Sequence, residues 1–199
     1  KMRRGLIASV LGLLACAAEA ADLPYAYGKP PKLGSAIAMI YDEQTQQPLY
    51  RKNENEVVPI ASITKLMTAM VILDAQLPMD EPITITREDR DRLKGTKSRL
   101  RDGMTLSRGD LLVLALMASE NRAASALART FPGGTRVMVA LMNAKARELG
   151  MRDTRYVDSS GLLADNVSSA YDMARLIAYA ADDPLISGIM RTDRYSFRT

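Results

Sequence analysis

Ser62 and Lys65 stand three residues apart in Ser62-Ile63-Thr64-Lys65-Leu66-Met67, at the head of a run that reads as a buried helix. On a helix that spacing brings both side chains to one face, one turn apart. A serine hydroxyl is a weak nucleophile until a neighbour takes its proton. A lysine set among Ile63, Leu66 and Met67 is desolvated, which lowers its pKa and lets the amine act as that neighbour near neutral pH. The Ser62 backbone N–H, at a helix N-terminus, can donate to a developing oxyanion. The chain has no histidine. A Ser-His-Asp triad, a Cys-His pair and a histidine-ligated zinc are thereby excluded, and an amine is the obvious substitute. No metal and no other cofactor is expected.

Taken alone, a Ser-x-x-Lys arises by chance about once in a chain of this length. It also describes an N-capping serine followed by a lysine that snorkels to water. Ser119-Glu120-Asn121 shifts the balance. It breaks the polypeptide directly after the apolar run Leu111–Met117, where polar groups must be solvated or line a cavity. A hydroxyl and an amide two residues apart at such a break can face one cleft. A plain helix-to-helix joint, with its polar groups capping the next helix, has the same pattern.

The elements that must position these groups follow from periodicity and caps. Ser35–Tyr41 and Pro48–Lys52 read as strands joined by the polar turn Asp42–Gln47, a hairpin. From Ser62 the chain is apolar on nearly every side, as a buried helix is. Ile83–Thr86 suits a short strand, and Arg87–Arg101 is charged and irregular. Ser107-x-x-Asp110 is a capping box for a second buried helix. Further helices are expected over Arg122–Thr130 and Thr135–Leu149. The second of these places Val137, Met138, Leu141, Met142 and Leu149 on one face and stops at Gly150. Ser169–Asp172 caps another helix that runs to Ala181 and ends before Pro184. Tyr195–Thr199 alternates like the opening of a strand. The sum is an α+β fold with helices packed on an antiparallel sheet. A two-stranded sheet is marginal, so more strands are expected beyond the last residue.

Residues 1–20 read as a signal peptide: Lys1, Arg3 and Arg4, then a mostly apolar stretch from Gly5 to Ala18, then Ala18-Glu19-Ala20 as a cleavage site. Leu13-Leu14-Ala15-Cys16 approximates a lipoprotein box, and the membrane surface becomes a partner only if Cys16 is lipidated. Residues 21–33 hold three prolines and one glycine and form a linker. Residues 34–199 are the globular domain. Export to the periplasm is expected, without disulfides, because Cys16 is the sole cysteine. The net charge of +4 owes much to the leader and is otherwise scattered. With no tryptophan and two phenylalanines, the chain has few stacking platforms, and nucleic acid is not an expected partner.

In this order, with 57 positions between the serines, the two motifs resemble those of the penicillin-recognising serine acyl-transferases. The flanking text Pro59-Ile60-Ala61 and Leu66-Met67-Thr68-Ala69, with Phe131-Pro132-Gly133-Gly134 and Val157-Asp158-Ser159-Ser160-Gly161-Leu162, is similar to the D-alanyl-D-alanine endopeptidase and carboxypeptidase branch. The resemblance implies a β-lactamase/transpeptidase-like fold with a helical subdomain. It implies peptidoglycan stem peptides as substrate and β-lactams as inhibitors. Ser62 would form the acyl-enzyme, Lys65 would take its proton, Ser119 would relay a proton to the leaving amine, and Asn121 would bind the substrate peptide. The bond cut in the endopeptidase branch is the D-alanyl–diaminopimelate cross-link.

The third motif of that family, Lys-Thr-Gly or Lys-Ser-Gly on a later strand, is absent. Lys94-Gly95-Thr96-Lys97 has the letters in the wrong order and precedes Ser119. The expectation is a C-terminally truncated domain whose remaining sheet strands lie outside this chain. A β-lactamase would need a Glu-x-x-x-Asn stretch after the second motif, and Glu148 is followed at that spacing by Arg152. A penicillin- or peptidoglycan-binding fragment without catalysis is the other alternative.

Overall fold

The computed structural model describes residues 32–45 and 47–197. The expected signal peptide, Cys16 and nearly all of the linker lie outside the described residues. Two strands come first: β1, Ala38–Asp42, and β2, Gln47–Lys52, which pair antiparallel with a bulge between Ile40 and Tyr41. Asp42 closes the turn, its Oδ1 accepting from the Gln44 and Thr45 backbone N–H groups, as a turn aspartate does. The expected hairpin is there.

The chain then passes β3, Val58–Pro59, and a 3₁₀ turn, Ala61–Ile63, into α1, Thr64–Asp74. This helix is the centre of the fold. Met67, Ala69, Met70, Val71 and Ile72 are all buried, as the burial of a helix apolar on every side requires. Around it pack α2, Arg108–Met117, α3, Asn121–Arg129, α4, Gly134–Glu148, and α5, Ala170–Ala181. The buried face of α3 is Ala123, Ala124, Ala126, Leu127 and Ala128, small enough to let neighbouring backbones approach closely.

Most boundaries come from the signals the sequence carries. The Ser107 hydroxyl accepts from the Asp110 N–H while the Asp110 carboxylate accepts from the Ser107 N–H, a complete capping box. Ser169 caps α5. Gly150, at φ +70°, ends α4 in the left-handed conformation that suits glycine. Two further antiparallel pairs are short: β4, Pro82–Thr84, with β5, Thr105–Ser107, and β3 with β6, Val167–Ser168.

Two expectations need correction, and one helix was not foreseen. On α4, Met138 and Met142 are buried, but Val137 and Leu141 are 38% and 42% exposed. The inward stripe runs through Met138, Met142, Lys145 and Ala146, so its neighbours one residue earlier are turned aside. Pro184 starts a helix as well as following one. It opens α6, Pro184–Met190, behind Asp183, whose Oδ1 accepts from the Leu185 and Ile186 N–H groups; proline suits the first helical position because its missing N–H is not needed there. Tyr195–Phe197 form no strand among the described residues, since a strand exists only beside a hydrogen-bonded partner. Instead the Tyr195 hydroxyl donates to Asp110 and its ring stacks on Phe197.

Candidate active site

Ser62 is the exposed middle residue of the 3₁₀ turn that leads into α1. Ala61 before it has φ +46°, a left-handed conformation that is strained for a residue with a Cβ and tends to persist where the surroundings over-determine it. Lys65 lies in the first turn of α1 and is 2% exposed. Its Nζ is 3.0 Å from Ser62 Oγ, 3.3 Å from Ser119 Oγ and 2.7 Å from the Ser160 carbonyl oxygen. Burial draws its pKa from 10.5 down to about 8, against the carboxylates of Asp158 and Glu120, which favour the charged form. Met67 is buried, but Ile63 is 45% exposed, so its neighbour Ile63 supplies little of the cover that the sequence suggested.

These three contacts suit proton transfer. The Ser160 carbonyl can only accept, so one N–H of Lys65 is committed to it. The two hydroxyls can each donate or accept. An ammonium can therefore donate to all three partners. A neutral amine keeps its N–H groups on Ser160 and Ser119 and turns its lone pair to the Ser62 proton, with no heavy atom moving.

Ser119 sits in the break between α2 and α3 at φ +51°. The Ala118 and Glu120 N–H groups both donate to the Leu114 carbonyl, and the Glu120 carboxylate accepts from the Arg122 N–H to cap α3. The segment is thus a capped joint that also aims a hydroxyl at Lys65. Asn121 is placed differently. Its Nδ2 donates to Thr96 Oγ1 across 3.1 Å, and Thr96 is in turn held by Asp91. Lys94–Lys97 therefore lie beside the second motif, in irregular backbone and not on a strand.

The segment 157–166 supplies what sequence reasoning missed. Asp158 Oδ1 accepts from the Ser160 and Gly161 N–H groups and its Oδ2 from the Leu163 N–H. Asn166 Oδ1 accepts from the Val157 and Asp158 N–H groups, while its Nδ2 donates to Thr64 Oγ1 on α1. Thr68 Oγ1 donates to the Ser159 carbonyl, and Ser159 Oγ to that of Ala124. Every one of these ties fixes the turn that points the Ser160 carbonyl at Lys65. The run Asp158-Ser159-Ser160-Gly161 advertises a turn in the sequence; its partner on α1 does not show there.

Ser62, Lys65 and Ser119 share the wall of a cleft of about 610 Å³ with Ile177, Ile186 and Met190. Asn121 is not on its lining. Glu148, at the end of α4, reaches Lys145 at 3.5 Å and does not line the cleft either.

Comparison with known proteins accords with this fold. The profile of a family described as D-alanyl-D-alanine carboxypeptidase matches residues 26–199. A D-alanyl-D-alanine endopeptidase of Pseudomonas aeruginosa is 47% identical over 184 residues, covering 92% of this chain and 59% of the relative. One from Escherichia coli is 46% identical over 162 residues, covering 81% and 52%. Among solved structures, penicillin binding protein 6B of Escherichia coli superposes with a TM-score of 0.78 at 28% identity, covering 88% of this chain and 59% of that one. Penicillin-binding protein D2 of Listeria monocytogenes, in a cefotaxime-bound form, gives 0.69 at 30% identity, covering 77% and 64%. The fold is thus that of the penicillin-binding proteins. Within that class, the chain belongs to the D-alanyl-D-alanine carboxypeptidase family. It spans 52–59% of the length of the two endopeptidases.

Proposed function

We propose that the protein is an exported, periplasmic serine peptidase that cuts the D-alanyl–diaminopimelate cross-links of peptidoglycan through an acyl-enzyme on Ser62. The observation that carries this reading is the buried Lys65 amine 3.0 Å from Ser62 Oγ. As the amine takes the hydroxyl proton, Ser62 Oγ forms a bond to the D-alanine carbonyl carbon. The carbonyl π electrons move to oxygen, where the Ser62 backbone N–H is one donor to the oxyanion. Collapse expels the diaminopimelate amine, which gains a proton through Ser119, and water then releases the D-alanyl carboxylate. Asn121, whose Nδ2 is engaged by Thr96, keeps its amide oxygen for the substrate peptide. β-Lactams acylate the same oxygen.

Endopeptidase is preferred to carboxypeptidase because the relatives named for the former share 47% and 46% of matched residues, against 34% and 32% for two named for the latter. Incubation with purified cross-linked muropeptides, read by mass spectrometry, tests this. Conversion of cross-linked dimers to monomers is expected. Release of terminal D-alanine alone makes the protein a carboxypeptidase, and retention without cleavage makes it a binding module. Labelling by a fluorescent penicillin that survives Ser62→Ala rules out the proposed nucleophile.

A further inference from the structure

Helix α5 has two working faces. Ile177, Ala180 and Ala181 look into the Ser62 cleft. Tyr171, Arg175, Tyr179 and Asp182, spaced to form one helical stripe, line a second cavity of about 660 Å³ together with Tyr41 and Glu43 from the β1–β2 hairpin. That volume is in the range of small-ligand sites. Three of the chain's eight tyrosines meet here.

Two of the rings are held before any ligand arrives. The Arg175 guanidinium lies 4.8 Å from the Tyr171 ring centre and donates to the Gly150 carbonyl. Lys145 Nζ lies 4.7 Å from the Tyr179 ring centre, donates to its hydroxyl at 3.2 Å and is anchored by Asp74 at 3.1 Å. Rings fixed in this way lose little freedom on binding. Tyr179 nonetheless remains 44% exposed, so it is pinned while still presenting surface.

The lining selects a ligand class. A pyranose has a face of C–H groups and a rim of hydroxyls; the first stacks on tyrosine rings, and the second donates to carboxylates such as Glu43 and Asp182. A phosphate-bearing ligand would meet those two carboxylates, with a guanidinium already engaged by Gly150 and Tyr171. An apolar peptide or lipid would strand the polar rim without partners. We propose that this cavity binds a neutral stretch of glycan, a β-1,4-linked polymer of N-acetylated amino sugars. The choice of sugar rests on the peptidoglycan reading above. One helix, about 10 Å across, separates the two sites, so a glycan strand held here offers its stem peptide to Ser62.

The test is titration with the β-1,4-linked tetrasaccharide of N-acetylglucosamine, performed on the wild-type chain and on Ser62→Ala so that binding is read apart from acylation. The chain has no tryptophan, so its intrinsic fluorescence reports the tyrosines directly. A saturable change at millimolar sugar or below is expected in both. Tyr171→Ala and Tyr179→Ala should each weaken binding at least tenfold, with circular dichroism checking that each remains folded. Should the ring variants unfold, the double change Glu43→Gln with Asp182→Asn decides, with the same tenfold loss expected. No saturable change, or affinity within twofold of wild type in the folded variants, overturns the proposal. Sugar binding in a protein that penicillin never labels would sink the peptidase reading and leave this one standing.

Discussion

A Cβ placed on Gly161 would lie 1.8 Å from the carbonyl oxygen of Ala61. The turn that carries Ser160 and the turn that carries Ser62 are closed on each other with no room for a methyl group, and Gly161 is at φ +82° besides. Gly161→Ala is expected to lower stability by roughly 3 kcal/mol, through overpacking and a left-handed backbone that alanine resists. That corresponds to a fall in Tm of about 6–12 °C for a domain of this size. Calorimetry measures it, and slower labelling of Ser62 by penicillin should accompany it at temperatures where the variant is still folded.

The acylation rate should depend on pH through Lys65. The neutral amine is the base, so the rate should climb through pH about 8 and level off above it. Stability carries the opposite face of the same shift. Unfolded, the lysine holds its proton up to 10.5; folded, only up to about 8. Between those values the unfolded state binds more protons, so this group's contribution to stability improves as pH rises across the window and is a constant penalty below it. Subtracting the melting curves of Lys65→Met from those of wild type isolates the effect.

Lys65→Ala should cut the penicillin acylation rate by about 10²–10⁴, the usual worth of a positioned base. Ser119→Ala should cost less in acylation, because Lys65 keeps its contacts with Ser62 and Ser160, and more in muropeptide cleavage, where an amine must be protonated as it leaves. Stopped-flow labelling beside a cleavage assay separates the two steps.

Asp158→Asn removes one of the carboxylates that favour charged Lys65 while an amide oxygen can still accept from the turn. The acid limb of the rate profile should move to lower pH. A variant that merely loosened the turn would lower the rate at all pH values and leave the midpoint where it was.

What could be read from the sequence was local. The Ser62–Lys65 pair follows from helical spacing, and the Ser107 and Ser169 caps from the residues beside them. The second motif could be attached to the first only through a resemblance, since 54 positions separate Ser119 from Lys65. The contacts that hold the site were not legible. Lys65 reaches Ser160 across 95 positions and Asn166 reaches Thr64 across 102, and such closures leave no periodicity. The two-residue pair of β3 with β6 is too short to produce alternation. Helix α6 was hidden because proline ends one helix and begins another with the same letter; Asp183 before it was the available signal. The exposed positions of Val137 and Leu141 reflect a stripe drawn one residue too wide.

The most direct measurement is an NMR titration of the Lys65 side chain, followed at its Cε in protein carrying labelled lysine and assigned with Lys65→Met. A midpoint near 8, moving downward in Asp158→Asn, is the expected result. A midpoint at 10 or above, as for a lysine in water, contradicts the assignment of this amine as the base for Ser62.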